Sequence, residues 1–218
     1  MIFEIETNLN KFFNELTGRA KSLQESLNTP NPPQWDDYTE AQPSILSTIT
    51  DLLIKGDDIH LEILGVSARY SWRMVEDFMS PIIKKHENRK FKFDVVVTTS
   101  KTLHDWSLPS WVEDLNRTIK GIESFSRENN ESIINGNLII NRYDYDSLPQ
   151  WHGVLINRKI LYLGRTKWDY QQDGSPLFRV GQCIYRKFEP NDRYGGNSRV
   201  TMFINWFERL KKRSLERN

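Results

Sequence analysis

The chain has 218 residues, which suits one domain of ordinary size and suffices to bury a core without a metal or disulfide framework. Its 30 Lys and Arg side chains against 29 Asp and Glu give a formal net charge of +1, so bulk electrostatics offers no strong attraction to nucleic acid or anionic lipid. The single cysteine, Cys183, excludes an internal disulfide and a thiolate zinc site. No apolar run has the length of a membrane span and no leader pattern opens the sequence, so a cytoplasmic protein without membrane insertion is expected.

The N-terminal segment shows apolar residues at helical spacing, which predict an amphipathic helix over residues 8–28. Four prolines follow among polar residues. Because proline removes a backbone donor and fixes φ, we expect neither helix nor sheet over residues 28–43. Residues 1–43 are therefore predicted to form a helical extension with a proline-rich linker, and residues 44–218 an α/β domain.

The first half of this domain alternates between helical and extended patterns. A helix is predicted over residues 44–55, since Gly56 follows its last apolar position. An apolar strand over residues 59–66 leads through a turn to a helical stretch that ends at Lys85. Apolar residues then alternate over residues 91–99, as a second strand requires.

The second half continues the alternation. Its predicted elements are a long helix from residue 109, a strand over 137–142, a hairpin over 153–164 that turns at Asn157 and Arg158, a strand over 178–187, and a closing helix over 200–213. This order predicts an α/β fold, a mixed sheet flanked by helices. The strands at 59–66 and 91–99 are expected to lie side by side and parallel, because a helical crossover separates them.

The order of elements over residues 59–213, together with the hairpin, resembles one repeat of the phospholipase D superfamily. That family carries the motif HxKxxxxD at a hairpin, with a glycine element seven residues after the Asp. The resemblance assigns the nucleophile to the family's His and the phosphate contacts to its Lys and a later Asn. The matching positions here are Gln150 for the His, His152 for the Lys, Asn157 for the Asp, Gly164 for the glycine and Lys167 for the Asn.

Gln150 at the nucleophile position implies a catalytically degenerate module, because an amide nitrogen cannot form a covalent phosphoryl intermediate at neutral pH. A register shifted by two residues would restore His152 as nucleophile, but it would put Val154 where a cation is needed. The alternative is therefore a metal-independent phosphodiesterase or nuclease that uses His152.

Polar residues at the ends of the first two strands are the remaining site candidates. Loops there commonly bind ligands, because backbone N–H groups and the helix dipole favour anions. A surface ion pair would equally explain Arg69, and a hydrogen-bonded core histidine would explain His152. The predicted ligand-binding residues are Ser67, Arg69, Tyr70, Ser100, Lys101, Gln150, His152, Asn157 and Lys167.

The predicted function is binding of an anionic small ligand, for example a nucleotide, or of a protein partner, in a sensing or regulatory role. No cofactor or metal is expected, because His60, His86 and His104 lack metal-ligand spacing. The family resemblance implies a homodimer, since single-repeat members place their hairpins together across a two-fold axis. A second alternative is a pure protein-interaction subunit.

Overall fold

The computed structural model describes residues 31–170, 176–179 and 183–216. The expected helix over residues 8–28 lies outside them. The strands are β1 (Gln34–Trp35), β2 (Ile59–Leu64), β3 (Phe91–Thr98), β4 (Leu138–Tyr145), β5 (Trp151–Ile156), β6 (Ile160–Arg165), β7 (Lys167–Tyr170), β8 (Pro176–Arg179) and β9 (Tyr185–Phe188). The helices are α1 (Tyr38–Ile54), α2 (Arg69–Lys85), α3 (Ser100–Asp105), α4 (Pro109–Glu128), α5 (Asn130–Ile134) and α6 (Gly196–Leu215).

Seven strands form one mixed sheet in the order β1-β9-β6-β5-β2-β3-β4, and β7 pairs with β8 in a separate two-stranded sheet. Strands β2, β3 and β4 are parallel, whereas β5, β6, β9 and β1 join by antiparallel pairing. The α/β fold class is therefore confirmed. The expected parallel pair is confirmed too, with Ile59 opposite Phe91.

Helices cover the sheet on both faces, which explains why its central strands are buried at nearly every position. One core joins α1, α2 and α4 to inward side chains such as Leu61 and Phe93. The other joins α6 to alternate positions of the same strands, such as Leu64 and Val96. Among the described helices, none combines the length and apolar character needed to cross a bilayer.

The β5–β6 hairpin closes at the predicted turn. Asn157 and Arg158 have φ of 51° and 55°, and the Lys159 N–H donates to the Ile156 carbonyl at 3.0 Å. Two central residues with positive φ are what a type I′ turn requires, and its twist matches that of the strands. The Asn157 side chain fixes this turn to β2, since its Oδ1 accepts the His60 N–H at 2.7 Å.

The linker predicted over residues 28–43 differs from the structure, because Gln34–Trp35 forms a strand and α1 begins at Tyr38. Asp37 caps this helix by accepting the Glu40 N–H at 2.9 Å. Pro43 deprives the Thr39 carbonyl of its helical donor, but Thr39 is exposed and water can replace it. The expected segment boundary at residue 43 therefore falls inside α1.

Two further expectations are wrong. Residues 178–187 do not form one strand, because β8 belongs to the small sheet and β9 to the large one. A turn was expected between the strand at residues 59–66 and the helical stretch that ends at Lys85. In the structure the chain is already helical from Arg69, within that expected turn. In the first of these places the segment is divided because its two halves pair with different strands, which no local pattern predicts.

Candidate functional site

A cavity of about 370 Å³ opens at the carboxyl end of β2, between the N-termini of α1 and α2. Its floor is the end of β2 and the turn that follows, and β5, β9 and α4 complete the walls. The lining residues are 37–39, 64–71, Trp111, Asp114, His152 and Tyr185. The cavity therefore lies at the carboxyl end of a parallel strand, where α/β proteins commonly bind ligands.

The turn between β2 and α2 is tight. Ala68 is in the left-handed region, with φ of 53° and ψ of 17°, although it is not glycine. A Cβ at Gly65 would lie 3.0 Å from the Ala68 backbone, so a larger residue would require this turn to shift by a few tenths of an ångström. Non-glycine residues held at positive φ are uncommon and cluster at functional sites.

The N-terminus of α2 carries no side-chain cap. Its first helical bond runs from the Trp72 N–H to the Ala68 carbonyl at 2.8 Å, so the four preceding N–H groups have no acceptor within the helix. All four residues, 68–71, line the cavity. In contrast, the N-terminus of α1 already holds the carboxylate of Asp37.

Arg69 and Asp114 form an ion pair in the wall. Arg69 Nη1 donates to both carboxylate oxygens of Asp114, at 2.9 and 3.1 Å. The guanidinium also lies 5.5 Å from the ring centroid of Tyr70. Because Arg69 is 38% exposed and Asp114 21%, this pair remains reachable by a ligand.

His152 is almost fully enclosed in the opposite wall. Thr166 Oγ1 donates to the Pro149 carbonyl at 2.8 Å and lies 3.4 Å from His152 Nδ1, which favours a proton on Nδ1. Nε2 is then a bare acceptor, and it has no hydrogen-bond partner among the described residues. Burial lowers the pKa of His152 to about 3, so the imidazole is neutral at physiological pH.

Two neighbours shape the position of this imidazole. Tyr185 meets it edge-on with 5.1 Å between ring centroids. Gly164 is its register partner on β6, and any side chain there would collide with Nε2. Gly164 is therefore needed because it leaves room for the His152 ring, and not because it forms a turn.

The cavity brings together four of the nine predicted binding residues, namely Ser67, Arg69, Tyr70 and His152. Arg69 does have the ion pair considered for it, but the pair lies in the cavity wall. His152 differs from a fully hydrogen-bonded core histidine, since its Nε2 is unpaired among the described residues.

The other predicted residues lie elsewhere. Ser100 and Lys101 begin α3, where Lys101 pairs with Asp105 at 2.6 Å beside a separate depression. Gln150 lines a groove against α6 with Trp206, away from His152. Asn157 lies at the far end of β5, and Lys167 lies in β7 with its side chain outside the described part.

The sequence reasoning missed Asp37, Trp111, Asp114 and Tyr185 in the cavity wall. Asp37 had a detectable signal, because an Asp followed three residues later by Glu40 is a helix-start pattern. Asp114 lies on α4 and reaches the cavity through the packing of α4 on α2. No local pattern predicts that contact.

A second polar cluster lies on the α6 face of the sheet. His60, Glu62 and Asp94 place one ligand-type atom each within 4.8 Å of one another. Lys211 and Lys92 already contact Asp94 Oδ2, at 3.0 and 3.3 Å. These ammonium groups supply the positive charge that a metal ion would bring.

The partners of these carboxylates give the cluster a structural role. Burial alone raises the pKa of Asp94, but hydrogen bonds from His60, Asn141 and Lys211 outweigh it and hold the pKa well below its usual range. Arg158 bridges Glu62 and Glu208. Since Lys211 and Glu208 belong to α6, the cluster fastens that helix to the sheet.

Comparison with known proteins leaves the family open. No family model matches the chain, and no curated protein matches it either. The phospholipase D resemblance therefore stays a prediction.

Proposed function

We propose that this chain binds a small ligand through one anionic group in the cavity at the carboxyl end of β2, in a sensing or regulatory role. The observation that carries the proposal is the uncapped N-terminus of the 17-residue helix α2, whose four orphan N–H groups belong to residues lining the cavity. Such a helix end attracts anions through its N–H groups and its dipole.

Size and chemistry support a small ligand. A cavity of about 370 Å³ is at the lower end of the range for small-molecule sites. Arg69 lies at the same helix end, and Tyr70 and Trp111 offer aromatic surfaces. A compact metabolite with one acidic group, of which a mononucleotide is an example, fits this description.

Hydrolysis of phosphodiesters is the less favoured function. The enclosed Nε2 of His152 lies against Gly164 and Tyr185, which leaves little room for an attack on phosphorus. Gln150, at the family's nucleophile position, faces a different groove. The observation in favour of catalysis is the contact between Thr166 Oγ1 and His152 Nδ1, because a proton on Nδ1 would leave Nε2 with a free lone pair.

Calorimetric titration with adenosine monophosphate and with inorganic phosphate tests the binding proposal. We expect Arg69→Gln to weaken the binding of both at least tenfold, because it removes the cation next to the α2 N-terminus. Lys101→Gln is the matched control, since it removes a cation outside the cavity. Equal binding by the wild type and Arg69→Gln would contradict the proposal.

Assay of bis-p-nitrophenyl phosphate without added metal separates the two functions. We expect no hydrolysis above background. Hydrolysis by the wild type that disappears in His152→Ala would instead support the enzyme.

A further inference from the structure

We infer that the cavity is selective for ligands that combine a single anionic group with hydrogen-bond donors, and that it rejects polyphosphates. This inference rests on the proposed function and specifies its ligand class. It follows from the two unlike walls of the cavity.

The α2 wall can hold one anionic group. It offers the orphan N–H groups of residues 68–71, and a helix N-terminus carries only about half an elementary charge. The adjacent cation is already engaged, since Arg69 Nη1 donates to both oxygens of Asp114. A second phosphate would therefore find no unpaired cation among the described lining residues.

The formal charge of the lining reinforces this limit. The charged side chains among the described lining residues are Arg69, Asp37 and Asp114, one positive and two negative, which gives −1 with His152 neutral. Like charges at close range disfavour each other strongly in a partly desolvated site. A pyrophosphate or triphosphate would lie close to the carboxylates of both Asp37 and Asp114, which would repel it.

The opposite wall favours donors on the ligand. Asp37 uses Oδ1 to accept the Glu40 N–H, and its carboxylate is an acceptor that lines the cavity. His152 adds no cation to this wall, because burial lowers the pKa of its imidazole, and its Nε2 is enclosed against Gly164. A ligand hydroxyl or ammonium group would therefore be favoured beside the Asp37 carboxylate.

Titration calorimetry with inorganic phosphate, pyrophosphate and O-phosphoethanolamine tests the selectivity. The amine-bearing phosphomonoester should bind at least tenfold more tightly than inorganic phosphate, and pyrophosphate at least tenfold more weakly. If pyrophosphate binds as tightly as phosphate, or the amine brings no gain, the selectivity is wrong although the binding proposal stands. If no probe binds, both fail.

Asp37→Asn is the sharpest variant, because Asn remains an efficient helix cap while the negative charge is lost. We expect it to weaken O-phosphoethanolamine binding and to strengthen pyrophosphate binding, each at least fivefold. Asp36→Asn, next to it but absent from the described lining, is the control and should change neither. An unchanged preference in Asp37→Asn would overturn the assignment of the acidic wall.

Discussion

The surroundings of His152 suit its ring but leave its Nε2 atom without a hydrogen bond from the described residues. Its ring fills apolar space beside Tyr185, yet its Nε2 lacks a described partner. An unpaired polar atom in a core costs stability, on the order of 1–3 kcal/mol, unless a ligand or water supplies the bond. The packing of the ring must therefore offset the cost of the unpaired nitrogen.

Acid should destabilise the protein through this histidine. The pKa of His152 is about 3 in the folded state and 6.5 in the unfolded chain, so between these values only the unfolded chain takes up the proton. Stability is then complete above pH 6.5 and falls as the pH drops, by about 1.4 kcal/mol per pH unit. Urea denaturation at pH 7 and pH 5 should show a loss of about 2 kcal/mol from this source.

His152→Gln should remove most of that pH dependence, because glutamine does not titrate. His104→Gln is the control, since His104 is exposed. An equal slope against pH in the wild type and His152→Gln would contradict the prediction.

Asn157 offers a second test at the residue scale, because its backbone conformation and its side-chain bonds can be separated. Asn157→Gly keeps the positive φ but loses the bonds to the His60 N–H and the Asp58 carbonyl, so we expect a loss of about 1–2 kcal/mol. Asn157→Ala adds backbone strain at φ of 51° and should lose about 1 kcal/mol more. Urea denaturation measures both, and equal stability of the two variants would mean that the left-handed turn is not strained.

The rule that polar residues after a strand end line a ligand site placed only some of the predicted residues at the cavity. Ser67, Arg69 and Tyr70 follow β2 and line it, whereas Ser100 and Lys101 follow β3 and lie elsewhere. Gln150 and Asn157 were chosen by alignment to a motif, and they lie in different depressions. Motif spacing alone does not determine which face of a sheet a residue occupies.

At the scale of elements, the polar cluster around Asp94 explains how α6 is fixed. Lys211 Nζ lies 3.0 Å from the fully buried Asp94 carboxylate and 4.9 Å from the ring centroid of Tyr143. This cluster was not detected from the sequence, because residues 59–66 were treated as one apolar strand and His60 was considered only for metal-ligand spacing. Because α6 packs over this face of the sheet, the positions of His60 and Glu62 lie in the interior of the protein.

Lys211→Met should therefore destabilise the protein by about 3 kcal/mol, because it leaves a buried carboxylate with less compensation. The surface neighbour Lys212, 80% exposed, is the control, and Lys212→Met should cost less than about 0.5 kcal/mol. Chemical denaturation measures both variants. Adding Asp94→Asn to Lys211→Met should recover part of the loss, and no recovery would show that the charge is not the cause.

The sheet itself was largely predictable from local patterns. An apolar run placed β2, an alternating pattern placed β3, and the tolerance of Asn for left-handed geometry placed the hairpin turn. The start of α1 was not predicted, because the prolines near it argued against a helix and the cap at Asp37 was missed. The assignment of β8 and β9 to different sheets depends on pairing with distant strands.

At the scale of the whole molecule, the resemblance to phospholipase D repeats predicts a symmetric dimer. Light scattering at micromolar concentration should then give about twice the single-chain mass of 25.8 kDa. A single-chain mass would contradict it. Deletion of residues 1–30 would show whether the predicted N-terminal helix contributes to the contact.

The pairing of β1 with β9 also has a consequence for the order of folding. Gln34 pairs with Arg186 and Trp35 with Tyr185, so this edge of the sheet joins segments from opposite ends of the described chain. Strands β2 to β4 are consecutive and can pair early, whereas contacts between distant segments form slowly. Tyr185 also lines the cavity, so a nascent chain cannot complete this cavity until β9 has left the ribosome.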